Sequence, residues 1–174
     1  MCANLISAIL WAFICATLSA FGQAQPDSAK HDWIGTWRLI STEEKLRDGR
    51  TRPYPDLGEK ATGYLMYGAD GRMWVALMKL GRANWRHDEA NGSKDEKIEA
   101  ASGFSSYCGR YDVDEAKHVV THYPEVSFYP NFIGTVQPRP YRLEGNRLTF
   151  SDKESSGEVE RWTIVWEKVD AGVK

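Results

Sequence analysis

The chain has 174 residues and carries 22 Lys plus Arg against 24 Asp plus Glu, a formal net charge of −2, with 42% hydrophobic residues. Such near-neutrality gives no electrostatic footprint for nucleic acid or for an anionic membrane surface, so neither is an expected partner. Its three cysteines, Cys2, Cys15 and Cys108, are too few and too badly placed for a disulfide-stapled scaffold.

Leu5 to Leu18 is almost uninterrupted apolar sequence, followed by small residues at Ser19, Ala20, Gly22 and Ala24. That layout predicts a secretory leader over residues 1–24 and a domain over 25–174. The apolar run of about 14 residues is short for a membrane span, which needs roughly 20. No Lys or Arg precedes the run, so an uncleaved anchor stays as the alternative to a cleaved leader. Cys15 follows Ile14 rather than a small residue, which argues against a lipid anchor there. Removing the leader takes away Cys2 and Cys15. The domain would then be secreted or periplasmic without an internal disulfide and must be held by its core. Seven Trp, eight Tyr and six Phe supply the bulky apolar surface for that.

The first element is Thr36 to Glu44, a partially alternating strand with Trp37 and Leu39 on one face and Ile40 on the other. A Gly-x-Trp at its start allows close backbone passage at Gly35 while Trp37 plugs one end of a barrel. Lys45 to Lys60 carries Gly49, Pro53, Pro55 and Gly58 and reads as a long loop of the functional or lid-like kind. Ala61 to Tyr67 and Arg72 to Leu80 flank Asp70-Gly71, the mark of a hairpin. On the second strand Met73, Val75 and Leu77 share one face and Trp74, Ala76 and Met78 the other, so cover on both sides is expected. Ser93 with Glu96 three residues later forms a capping box and predicts a helix from Lys94 to Phe104.

Strands return at Tyr107 to Tyr111, Lys117 to Phe128, Thr135 to Leu143, Arg147 to Phe150 and Val159 to Val169, separated by turn-forming residues. Together they predict an all-β fold: an eight-stranded antiparallel up-and-down barrel with one short helix, wide enough for one small ligand. There is no internal repeat, linker, phosphate loop, nucleophile elbow or dinucleotide fingerprint, and no cofactor is expected.

A set of motifs in fixed order resembles a known family. These are Ile34-Gly35-Thr36-Trp37-Arg38-Leu39, Ala61-Thr62-Gly63-Tyr64-Leu65-Met66-Tyr67, Asp70-Gly71-Arg72-Met73, Gly109-Arg110-Tyr111-Asp112-Val113, Val120-Thr121-His122, and Pro130-Asn131-Phe132-Ile133-Gly134-Thr135, with a closing strand like Thr163-Ile164-Val165-Trp166-Glu167. The mature chain resembles the bacterial and fungal lipocalin-like domain proteins, the lipocalin-5 group of the calycin-type barrels. The resemblance implies a lipocalin-like barrel that binds an apolar small molecule, and it implies little about chemistry. The chain lacks the paired cysteines of better-known secreted lipocalins.

Several side chains invite a functional reading. His118 and His122 share a strand face but stand about 13 Å apart, too far for one metal ion, so no metal site is expected. His122 facing inward would meet a ligand oxygen or serve as an acid or base; a hydrogen-bonded core histidine is the plain alternative. Asn131 fits a turn, Cys108 a small apolar filler, and Arg110 either an inward carboxylate receptor or a surface charge. Arg161 on the last strand is a candidate to stack on Trp37, joining it and Gly35 as structural residues. Asn91-Gly92-Ser93 is a glycosylation sequon only in a eukaryote, and His87-Asp88-Glu89 reads as a solvated loop.

The leading expectation is an exported barrel binding a small apolar or amphipathic molecule, with Tyr64, Met66, Met73, Trp74, Phe104, His122 and Tyr141 as the lining. A cofactor-free isomerase, cyclase or hydratase using His122, and a non-catalytic structural or interaction barrel, are the alternatives. A barrel packed solid by its aromatics would exclude the first two.

Overall fold

The computed structural model describes residues 32–86 and 91–169. The leader and His87-Asp88-Glu89 lie outside them. The strands are β1 (Gly35–Leu46), β2 (Thr51–Arg52), β3 (Ala61–Tyr67), β4 (Arg72–Lys79), β5 (Phe104–Asp114), β6 (Val119–Ser127), β7 (Gln137–Glu144), β8 (Arg147–Lys153) and β9 (Val159–Lys168), with the helix α1 (Lys94–Ser102) between β4 and β5. Each main strand pairs antiparallel with the next, and β1 also pairs with β9, so eight strands close a barrel. Closure removes the free edges that would otherwise template aggregation. The two-residue β2 is a short ribbon on the end of β1, where Glu44 faces Arg52 and Lys45 faces Thr51. Among the described residues no helix is long and apolar enough to cross a membrane.

β1 pairs with β3 through Gly35 to Arg38 and runs against β9 from Trp37 to Leu46. A register shift between Leu39 and Ser41 turns Ile40 outward, 40% exposed, and brings Thr42, Glu44 and Leu46 into phase with Trp37 and Leu39 on the inner face. The partial alternation in the sequence is therefore the trace of a bulge. A second irregularity lies on β5 and β6, where Cys108 faces Val126 but Gly109 faces Pro124. A Cβ at Gly109 would run into the Tyr123 carbonyl oxygen, so only glycine permits this close approach.

The capping box forms as the sequence predicts. Glu96 N donates to Ser93 Oγ at 3.2 Å and Ser93 N donates to Glu96 Oε2 at 2.7 Å. The helix stops at Ser102 with Gly103 as its cap, because Phe104 already belongs to β5. None of its residues is buried, and on the outer face of β4 Trp74 stays 40% exposed. The core fills the barrel around Trp33, Trp37, Leu65, Tyr67, Phe150 and Trp166.

Candidate functional site

The two ends of the barrel differ. One is shut by indoles. Trp37 is fully buried, its Nε1–H donates to the Trp33 carbonyl at 3.1 Å, and Lys168 Nζ lies 5.4 Å from the centre of its ring. Trp33 packs edge-on against Tyr67 at 5.5 Å and Tyr141 at 4.5 Å. Edge-to-face pairs of this kind add about 0.5–1.5 kcal/mol each beyond their buried area.

Above this plug, His122 spans the interior between two tyrosines. Its Nε2 is 2.7 Å from Tyr67 Oη and its Nδ1 is 2.8 Å from Tyr107 Oη. Burial, reinforced by the Arg139 charge, pushes the imidazole down to about 3, so it is neutral at physiological pH. A neutral imidazole has one N–H and one lone pair. Tyr67 is buried, and its hydroxyl has His122 as its hydrogen-bond partner, so the proton inventory assigns Tyr67 O–H as donor to Nε2. Nδ1–H then donates to Tyr107 Oη, on which Arg139 acts as a further donor. Burial drives both phenols above their ordinary range, so they stay protonated.

The opposite end opens into a cavity of about 610 Å³, lined by Tyr54, Phe132, Gln137, Arg139, Trp162 and Ile164 among others. The register places the polar pair in it: on β7 Gln137 faces His122 and Arg139 faces Val120 across β6, so both point inward with those buried residues. Arg139 lies over the Trp162 ring at 5.4 Å. Phe132, from a short 3-10 turn at Pro130–Phe132, connects the mouth to the interior through Tyr107, 5.9 Å away. Tyr54 comes from the loop after β2 and borders both this cavity and a smaller one of about 230 Å³ shared with Leu57, Leu77, Phe104 and Tyr129. The long loop thus covers part of the mouth. At its rim Arg52 bridges Glu44 at 2.8 Å and Glu158 at 2.6 Å.

The residues singled out from sequence are divided by this geometry. Met73 and His122 face inward but belong to the packed interior, both under 4% exposed. Tyr141 is inward at the closed end, edge-to-face with Trp33 and 5.6 Å from the His118 ring. Phe104 borders the smaller cavity. Tyr64, Met66 and Trp74 lie outside the barrel at 46%, 45% and 40% exposure, so they do not line its interior. On β3 and β4 both faces are apolar, and the alternation alone did not fix which one turned in. Cys108 pairs with Trp74 on that outer face, and Arg110 is a surface charge bound to Glu125 at 3.1 Å. Asn131 sits in the 3-10 turn. Arg161 is far from Trp37, because antiparallel pairing sets it opposite Lys45; Lys168 takes the place over the indole. Gly35 has φ +132° and passes close to Lys168. Among the described residues no cluster of His, Cys, Asp or Glu is arranged to hold a metal ion.

Arg139, Gln137, Trp162 and Tyr54 were not read as site residues. Extending the alternation back from Tyr141 would have found two of them, since Arg139 and Gln137 share its face.

Comparison with known proteins agrees with this architecture. The profile of the family described as the lipocalin-like domain matches residues 34–169. The chain is also similar to the 4'-hydroxy-3'-methoxypropiophenone carrier protein ppsC of Aspergillus oryzae, at 31% identity over 107 residues, covering 56% of this chain and 96% of the relative. With its closed barrel and a match spanning every strand, the chain belongs to the lipocalin-like domain family.

Proposed function

We propose that the protein is a carrier for a small amphipathic aromatic molecule, held in the mouth of the barrel. One observation carries the reading: at the closed end Trp33 and Trp37 fill the interior and leave a charged depression of about 580 Å³ outside them, whereas at the other end a cavity of about 610 Å³ is walled by Tyr54, Phe132 and Trp162. That volume falls in the range of small-molecule sites, about 300–1,000 Å³. An indole, a phenyl ring and a phenol supply apolar walls, and Arg139 and Gln137 supply a few polar groups to orient what enters. The Aspergillus oryzae relative is named as the carrier of a hydroxyaryl ketone, which supports a ligand of this type.

Catalysis by His122 is not favoured. Both ring nitrogens are taken by tyrosines, and its depressed basicity leaves no useful base near neutral pH.

Calorimetric titration with 4'-hydroxy-3'-methoxypropiophenone is expected to give a saturable one-to-one isotherm. Trp162→Ala removes the stacking wall and should weaken binding by about tenfold or more. Unsaturable heat, or unchanged affinity in the variant, contradicts the reading.

We further propose export, supported by the apolar run and small residues that precede Gln25. Amino-terminal sequencing of the protein from its native host should begin at Gln23 or Gln25; a start at Met1 in protein recovered from the cytosolic fraction sinks this.

A further inference from the structure

The mouth contains one cation that is anchored to the fold by Tyr107 and Trp162 but has no carboxylate among the described residues to neutralise it. Among the described residues, Arg139 has no carboxylate within salt-bridge distance, whereas Arg52 at the rim holds two, Glu44 and Glu158. Its hydrogen bond to the Pro138 carbonyl is long, 3.4 Å. Its face is occupied by Trp162, an arrangement that leaves the N–H edge of a guanidinium available. Behind it stands the Tyr107 hydroxyl, itself held by His122 and, through it, by Tyr67. A chain of three rings, the buried Tyr67 and His122 and the half-buried Tyr107, therefore fixes the wall against which Arg139 rests.

The charges around the cavity are separated. Glu44 and Glu158 are neutralised in part by Arg52, and Glu154 is exposed at the outer edge. Of the charged lining residues Arg139 is the cation; Glu44 shares the inner face but is engaged by Arg52. A cation in such a half-dry cleft interacts far more strongly with an anionic oxygen than with a neutral one, because the charge-assisted bond is about twice as strong. The planar fork of the guanidinium also matches an oxygen pair lying in the plane of an aromatic ring.

We infer that Arg139 is the receptor for an anionic oxygen of the ligand, so that the class carried is planar aromatic acids, with a carboxylate or an acidic phenol or enol on the ring. This rests on the carrier reading above and narrows it. The ring lies against Trp162 and Phe132, and the acidic oxygen enters first, toward Arg139. The Arg52 cluster at the rim is the barrier an anion passes, and the loop carrying Tyr54 closes over the uncharged end.

Two probes that share one ring system test the assignment: 2-naphthoate, which is anionic, and methyl 2-naphthyl ketone, which is not. By calorimetry at pH 7.5 the unaltered protein should bind the naphthoate about tenfold or more tighter than the ketone. Arg139→Gln should erase that preference, leaving the ketone affinity within about twofold of its original value. Arg139→Lys should keep part of the preference, since the charge stays and the fork is lost. Circular dichroism melts of both variants check that the barrel still folds. Equal affinities in the unaltered protein, or a preference that survives Arg139→Gln, overturn the assignment and leave the carrier reading standing. Binding of neither probe overturns both.

Discussion

Replacing Trp37 by alanine is expected to destabilise the barrel by about 3–5 kcal/mol, the usual cost of deleting a buried tryptophan from a core that only partly collapses around the hole. Trp37 is 0% exposed and closes one end of the barrel, so the hole would open at a junction of β1, β3 and β9 rather than at a pliable surface. Small domains have about 5–15 kcal/mol in total, so the variant stands near the edge of folding at 25 °C. Urea unfolding followed by far-UV circular dichroism reads the loss as a lower midpoint. A gentler contrast separates packing from hydrogen bonding. Trp37→Phe gives up the bond from Nε1–H to the Trp33 carbonyl, whereas the equally buried Trp166 has an Nε1–H with no acceptor among the described residues. Trp166→Phe should therefore cost less than Trp37→Phe, by about 1 kcal/mol. A Trp37→Ala loss below about 1 kcal/mol would show that the indole is not the plug.

The second large effect is acid lability centred on His122. Its folded pKa is depressed to about 3 from an ordinary value of 6.5, by burial first and the Arg139 charge second. As pH falls below 6.5 the unfolded chain takes up a proton that the folded chain refuses until about pH 3. The stability this group contributes is complete above pH 6.5 and is lost as pH falls, at up to about 1.4 kcal/mol per pH unit. Between pH 6.5 and 5 that amounts to about 2 kcal/mol, in a window where unfolded carboxylates, at about 3.9–4.3, have barely begun to titrate. Ion-paired acids such as Glu125 and Asp114, held below their ordinary range by Arg72 and Lys117, add their own losses only at lower pH. Gln in place of His122 retains one donor and one acceptor for the two tyrosines and has no proton to gain. Its stability should be flat from pH 7 to 5 where the parent falls. A parent with no slope in that window, or an equal slope in His122→Gln, contradicts the buried neutral imidazole.

These two residues also mark what a sequence can disclose. The barrel was legible because its signals are local: Asp70-Gly71 makes a turn wherever it lies between strands, and Ser93 with Glu96 caps a helix without help from the rest of the chain. β2 was not legible, since two residues make a ribbon only when β1 extends to Leu46 to receive them. The inward phase of β3 and β4 was ambiguous, because Met66 and Trp74 are as apolar as Leu65 and Val75. What decides it is long-range: Leu65 sits opposite Trp37, and Val75 opposite Tyr107. The site was hidden for the same reason. Arg139 meets Trp162 from β7 across to β9, and Tyr67 meets His122 over 55 positions of sequence. No spacing rule announces a contact made by barrel closure.

The central claim is that the ligand occupies the open half of the barrel and not the plugged half or the apolar outer face. Four tryptophans report on this directly, because indole N–H resonances of Trp37, Trp74, Trp162 and Trp166 sample the plug, the outer face, the mouth and the core. In a titration of the protein with a hydroxyaryl ketone, followed by proton–nitrogen correlation spectra, the Trp162 indole should shift and saturate while those of Trp37, Trp74 and Trp166 stay in place. A saturating shift at Trp74 with Trp162 unmoved would put the ligand on the outside of the barrel and contradict the account.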